Sequence, residues 1–434
     1  MDDRGFGLEV ETGDYGDTEV LPENFDLDWF QRMESVDFKL NDEPVTKSGG
    51  SRMNRRARPG IMKPTGSTSA DADLQRLIWY MYGFLGNYKF TEGNNGVNIH
   101  EFWGGENKEL PSFRGVALYD MWVIYLYGLL EDSLKLEVAD EAMSVNADWV
   151  YKTEESYILD EDEEFATPEE LINDLYIMGY DVKILLDGND PDGVQTSFNM
   201  EGNNNHNTDG TVGLNSRSPQ RKAHALKRDL NMSLATVLTR SNVRSIMNGR
   251  YGKVNAVKPS QCSLVETSLK VEVRLCEYPD LGMDIFFPSA TINNEFDMSG
   301  ADDIETTINL ASLGSKKATM VDGTQIMTDM YVKIMNNQDE LGVGSSSPIG
   351  GGVPETVNIS ISVQDEDENP VSGAAVSIYE ISSTTGNAGG CTLQNVPIGL
   401  ETITVLKEGY EEYIGTIEVS EEDTSFTITL IEEE

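Results

Sequence analysis

Cysteine and histidine are scarce in this chain of 434 residues. Cys262, Cys276 and Cys391 are its cysteines, and His100, His206 and His224 its histidines. The cysteines show no metal-binding spacing and form no even framework, so free thiols of a protein made inside a cell are expected. The histidines are far apart, and no HExxH pairing occurs. A GxSxG elbow, a P-loop and a dinucleotide fingerprint are missing as well. Carboxylate pairs occur everywhere in so acidic a chain and therefore single out nothing; a glycosidase acting through two carboxylates is the enzyme class left open. The expectation is no enzyme, with no catalytic residue, cofactor or metal assigned. No run of about 18 or more apolar residues is present, so no membrane-spanning helix is expected. The opening MDDRGFGLEVE is acidic and lacks an apolar core, so no secretory signal peptide is expected.

Positive charge is the other shortage. Against 75 Asp and Glu there are 32 Lys and Arg, a net charge of −43. Self-repulsion on that scale opposes a compact state in dilute salt. Near 1 M salt the screening length falls to about 3 Å and most of the repulsion disappears. The acidic surface therefore points to a hypersaline, halophilic setting. It also argues against ordinary nucleic-acid binding, which needs a basic footprint.

What is present is β-pattern. Leu269, Val271, Val273 and Leu275 alternate with Lys270, Glu272 and Arg274, the period of a half-buried strand. The turn residues Pro279-Asp280-Leu281-Gly282 follow, then apolar Asp284 to Ala290, Thr291 to Asp297, and Ile304 to Leu310. This reads as an antiparallel meander. Further strands are expected over Phe6 to Val10, Val36 to Leu40, Leu134 to Val138 and Val145 to Tyr151. Two helices are expected to flank them. One covers about Ala70 to Tyr82, capped by Ser69 and ended by Gly83 and Gly86. The other covers Pro168 to Met178, where Thr167-Pro168-Glu169-Glu170 forms a capping box with proline at the first helical position.

Low-complexity stretches divide the chain. Residues 41–66 form an arm rich in Gly, Pro and Arg. Residues 187–215 form a polar Asn- and Gly-rich loop, expected to be mobile until bound. Its Asp187 to Gly193 is no calcium loop, because the glycine comes one place late and Phe198 stands where the closing glutamate belongs. Residues 339–356 read as a flexible linker. Domain boundaries follow at 1–338 and 357–434. In the second, Val357, Ile359, Ile361 and Val363 alternate, and turn signals recur through Lys407-Glu408-Gly409-Tyr410.

Two resemblances follow. Arg4 to Thr12 with Asp14-Tyr15-Gly16-Asp17-Thr18, then Ser51-Arg52, Arg58-Pro59-Gly60, Leu85-Gly86, Leu110-Pro111-Ser112-Phe113, and finally "FFPSATI" and "SGADDIETTINLASL", occur in the order seen in tail tube proteins of tailed viruses. In patches this resemblance spans Met1 to Asn336. The C-terminal part, with Asn395-Val396-Pro397-Ile398-Gly399 before Lys407-Glu408-Gly409-Tyr410, resembles the regulatory-like domain of carboxypeptidases. The fold class expected is mainly β with flanking helices: a tail-tube β-sandwich or barrel core, then a C-terminal Ig-like or prealbumin-like sandwich that decorates the outside.

The tail-tube resemblance implies hexameric rings stacked into a tube. It implies contacts with other tail and neck proteins and transient passage of double-stranded DNA during genome ejection. The place implied is the tail of a virion made in the host cytoplasm, and with the halophilic composition the virus expected is archaeal; no membrane partner is expected. An acidic lumen would repel phosphate, letting the polymer slide. Glu295, Asp297, Glu305, Thr307 and Asn309 are the lumen candidates, from the polar faces of their strands. Arg52, Arg55, Arg56, Arg58 and Lys63 on the arm, with Arg217 and Arg221 in a second basic stretch, are the candidates for intersubunit contact. The rival reading is a receptor-binding or adhesin-like tail component whose C-terminal domain binds a host surface glycan.

Overall fold

The computed structural model describes residues 4–11, 14–18, 25, 27–42, 44–47, 56–93, 96–119, 121–139, 141–159, 175–190, 195–237, 250, 265–292, 305–341, 356–365, 369–378, 381–397, 399–407, 409–410, 413–419 and 425–431. The protein is mainly β and divides into two units, Met1–Gly351 and Gly352–Glu434.

In the first unit the strands form one connected, barrel-like sheet system. Two long strands are shared between its parts. Trp122–Val138 pairs along its first half with Phe113–Tyr119 and Thr153–Ile158, and along its second half with Ser144–Val150 and Gln195–Asn203. The change of direction falls at Gly128, whose φ of 66° lies in the left-handed region. Its N–H donates to Glu11 Oε1 at 3.1 Å, so the bend is held by the N-terminal segment. Gly282–Ile292 likewise pairs with Thr267–Arg274, Tyr331–Asn336 and the end of Glu305–Ser312. The expected strands Thr291 to Asp297 and Asp284 to Ala290 are thus one strand as far as Ile292. Continuous apolar side chains fill the interior, from Phe6 and Trp29 through Trp149, Phe198 and Phe287 to Leu341.

Three expectations shift. The first helix covers Leu77–Leu85, and Ser69 belongs instead to the strand Thr65–Asp71. Thr68 and Ala70 are buried while Ser67 and Ser69 are half-exposed, a period of two that small side chains disguise. Asp73 holds the turn that leads into the helix: its carbonyl accepts from the N–H groups of Arg76 and Leu77, and its carboxylate from Gln75 N–H at 2.8 Å. Gly83 lies inside the helix, and Gly86 at φ 83° ends it. The second expected helix falls largely on residues outside the described ones; Tyr176 and Met178 at its end form extended bridges to Asp73 and Ala142. The polar loop 187–215 contains the strand Gln195–Asn203, because Phe198, Met200 and Gly202 are buried on alternate positions.

The first unit also runs past residue 338. Leu341 is buried in its core and its N–H donates to Tyr88 Oη at 3.2 Å. In the second unit a three-stranded sheet and a four-stranded sheet enclose Ile359, Ile361, Val376, Leu393, Ile403 and Val405, the sandwich expected.

Candidate functional site: a polar wall, a basic arm and an acidic edge

One face of the large sheet packs on the core and the other is a wide polar wall. Cross-strand register lines up Asn309, Ser233, Asn199, Glu137, Ser144 and Asp71, one residue from each of six adjoining strands. A second row joins Asn231, Glu201, Lys135, Asn146, Ser69 and Ser35. Their neighbours in sequence, such as Leu310, Met232, Met200, Leu136 and Val145, are buried. The wall is built from short uncharged polar side chains and carboxylates. Its lysines are held by neighbouring acids: Lys135 Nζ lies 2.6 Å from Glu137 Oε2, and Lys39 pairs with Asp37. Ser133 Oγ donates to Asp148 at 2.7 Å.

Of the lumen candidates, Thr307 and Asn309 are exposed on this wall, at the strand Glu305–Ser312. Glu305 belongs to the same strand; Glu295 and Asp297 lie outside the described residues. The rest of the wall escaped the sequence reading because the strand 65–71 has only small side chains to mark its period and the strand 195–203 runs into an Asn-rich stretch.

The basic residues separate into two groups. Val45–Lys47 and Arg56–Arg58 pair as a two-stranded sheet of their own, so this part of the arm is a β-ribbon. Arg58 and Lys63 are exposed; Arg52 and Arg55 lie outside the described residues. The second stretch is largely occupied within the chain. Arg217 Nη2 donates to Asp42 Oδ2 at 2.8 Å and its Nε to the Gly60 carbonyl at 2.9 Å, fastening the root of the arm. Arg217, a candidate for intersubunit contact, is thus engaged within its own chain. Lys222 donates to Ser112 Oγ, and burial pushes its pKa down against the pull of Glu11 and Glu109. Arg228 donates to Asn204 Oδ1, Asp329 and the Phe84 carbonyl and lies over the Phe84 ring, which ties down the C-terminal end of the helix. Arg221 is exposed.

An acidic edge completes the surface. Thr153–Ile158 pairs with Trp122–Tyr127, and among the described residues no strand pairs with its other side. Met121 is 67% exposed and Ile158 82%, with Trp122 and Tyr157 about half exposed beside them. Glu155 accepts from the Tyr157 hydroxyl at 3.0 Å.

The histidines remain apart. His100 is buried against Tyr88 and the Gln338 carbonyl, and burial lowers its pKa to about 4. His206 bonds Asp132 at 3.1 Å; burial acts against that carboxylate, but the His206 side chain and N–H outweigh it and lower its pKa. His224 is exposed. Among the described residues no group of His, Cys, Asp and Glu gathers as metal ligands. Asp284, nearly buried, is held by Lys333 at 2.9 Å and Arg274 at 2.7 Å, part of a charge row across the opposite sheet region. These ion pairs explain packing, and none forms a nucleophile and base pair.

The fold thus defines a mainly-β protein with a C-terminal sandwich. For that sandwich, the family model described as the PEGA domain matches residues 370–434. The match begins after the strand Thr356–Gln364, although that strand pairs with both Gly390–Pro397 and Ser425–Thr429 and is integral to the unit. No curated protein matches. Among solved structures, the Bacillus anthracis TIE protein is similar at 11% identity over 79% of this chain and 42% of that chain, with a TM-score of 0.16. The chain therefore spans less than half of that structure, and a likeness so slight says nothing of function.

Proposed function

We propose that this chain is a structural subunit of a viral tail tube, forming stacked hexameric rings around an acidic channel that conducts DNA into the host during genome ejection. The observation that carries this reading is the polar wall: a broad sheet face of Ser, Asn, Thr and carboxylates whose lysines are already paired. Such a surface gives a passing phosphate backbone no unpaired cation to release counterions against, so DNA moves along it without adhering. The edge of Thr153–Ile158, paired on one side among the described residues, offers backbone groups to which a strand of a second copy could add. The acid excess fits a virus of a halophilic, archaeal host. The ring contacts, other tail and neck proteins and a place in the virion belong to the same proposal.

Electron microscopy of the purified protein in high salt tests it. Stacked rings with a central pore are expected. Discrete particles that bind host cells would instead favour the receptor-binding reading through the C-terminal unit.

A further inference from the structure

We infer that the basic ribbon of the arm of one copy docks along the acidic edge strand Thr153–Ile158 of a second copy. The inference rests on the chain being a self-assembling subunit and names the surface that receives the arm. Two regions carry complementary features. The arm pairs Val45–Lys47 with Arg56–Arg58, exposes Val45 and Ile61 by more than half, and belongs to no larger sheet. The edge carries Glu154 and Glu155 and the exposed Met121, Trp122, Tyr157 and Ile158.

Each side lacks what the other offers. A short two-stranded ribbon is marginal alone in water and gains from a third strand. An open edge presents backbone N–H and C=O groups that a strand from another chain satisfies. Apolar residues on both surfaces leave water together. Charge selects the occupant. In a chain of net charge −43, most surfaces of a second copy repel Glu154 and Glu155, whereas the arm concentrates Arg within three residues of strand. The root of the arm is firm, because Arg217 fastens Asp42 and Gly60, and Asn41 donates to the Lys63 carbonyl at 3.0 Å. The ribbon is therefore presented in a defined direction, and docking costs less ordering than a loose loop would.

The experiment uses two populations of the full chain, each with Cys262→Ser, Cys276→Ser and Cys391→Ser and a different tag. One carries Ala57→Cys on the arm and the other Ser156→Cys on the edge; both positions are exposed. The mixture is treated with a short flexible bismaleimide in the same high salt as the microscopy, where ion pairs in direct contact are screened least, and crosslinks joining the two tags are counted on a gel. A crosslink between tags is expected. Adding Arg58→Glu to the arm population should abolish it, and adding Glu155→Arg to the edge population should restore it. Circular dichroism of each variant checks folding. Absence of the mixed crosslink in folded protein, or a crosslink indifferent to Arg58→Glu, overturns the docking. Electron microscopy of the same samples separates the two ideas. Rings without the crosslink leave the tube standing and remove this contact; the charge-dependent crosslink in open oligomers without rings leaves the contact standing and removes the tube.

Discussion

Glu131 is fully buried on the long strand Trp122–Val138, and neither carboxyl oxygen has a hydrogen-bond partner. A register shift between Glu131 and Ser133 turns it inward. The helix makes room with Gly83, where a Cβ would stand 2.5 Å from Glu131 Oε2. The Phe113 ring and Tyr80 hydroxyl face the same space. Burial raises the pKa of this carboxyl well above its ordinary value. The unfolded chain therefore releases the proton first as pH rises, and this group's contribution falls from the unfolded pKa, near about 4.3, up to the folded one. Glu131→Met keeps the volume and removes the unpartnered polar group. It should stabilise the first unit by roughly 1–3 kcal/mol below the unfolded pKa, where the buried carboxyl is neutral but still unpartnered, and by more at neutral pH. Chemical denaturation in high salt across pH 4 to 8 checks this, and equal effects at both ends would exclude the titration.

At the scale of elements, the bend at Gly128 decides how two parts of the sheet share one strand. A Cβ there would meet Tyr15 at 2.8 Å, and its left-handed φ disfavours any other residue. Gly128 and Gly16 both donate to Glu11 Oε1, so the turn near Tyr15 and the bend are a single assembly. Gly128→Ala should cost about 1–3 kcal/mol through backbone strain and displacement of Tyr15. Thermal melting would detect the loss, and hydrogen exchange should rise first around Phe113–Tyr119 and Tyr15. The elements with large apolar residues on alternate positions were legible in the sequence: Thr267–Arg274 and Ser144–Val150 follow their patterns closely. Thr65–Asp71 was not, because Ser, Thr, Ala and Gly bury little area and leave the alternation nearly silent. Gln195–Asn203 was obscured by the Asn-rich sequence that follows it, though Phe198 and Met200 carried the signal.

For the whole molecule, the division into two units sets the scope of truncation. The core of the first includes Leu341, while Gln338 carbonyl accepts from Asn98 and His100. A chain ending at Leu341 should therefore fold and, on the proposed function, assemble into tubes of normal pore and smaller outer diameter. Ending at Glu340 should lose about 2–5 kcal/mol through a missing buried leucine. Comparing the unfolding midpoints of the two truncations tests the boundary. Electron microscopy of the longer one tests whether the PEGA-type sandwich is dispensable.

Composition and periodicity alone determined that the chain is mainly β, that its C-terminal part is a separate sandwich, and that its surface is acidic. Those properties depend on which residues occur and on alternation between neighbours, and both are local. Tertiary structure decided which polar faces join into one wall, since Asn309, Ser233 and Asn199 meet only through pairing of distant strands. It also decided the fate of the cations. Arg217 and Arg58 are alike as letters, yet Arg217 is engaged by Asp42 and Gly60 while Arg58 stands exposed on its ribbon. Whether a charge is neutralised depends on a partner a few ångströms away in space, and for Arg217 that partner lies at the far end of a fold that sequence spacing does not encode.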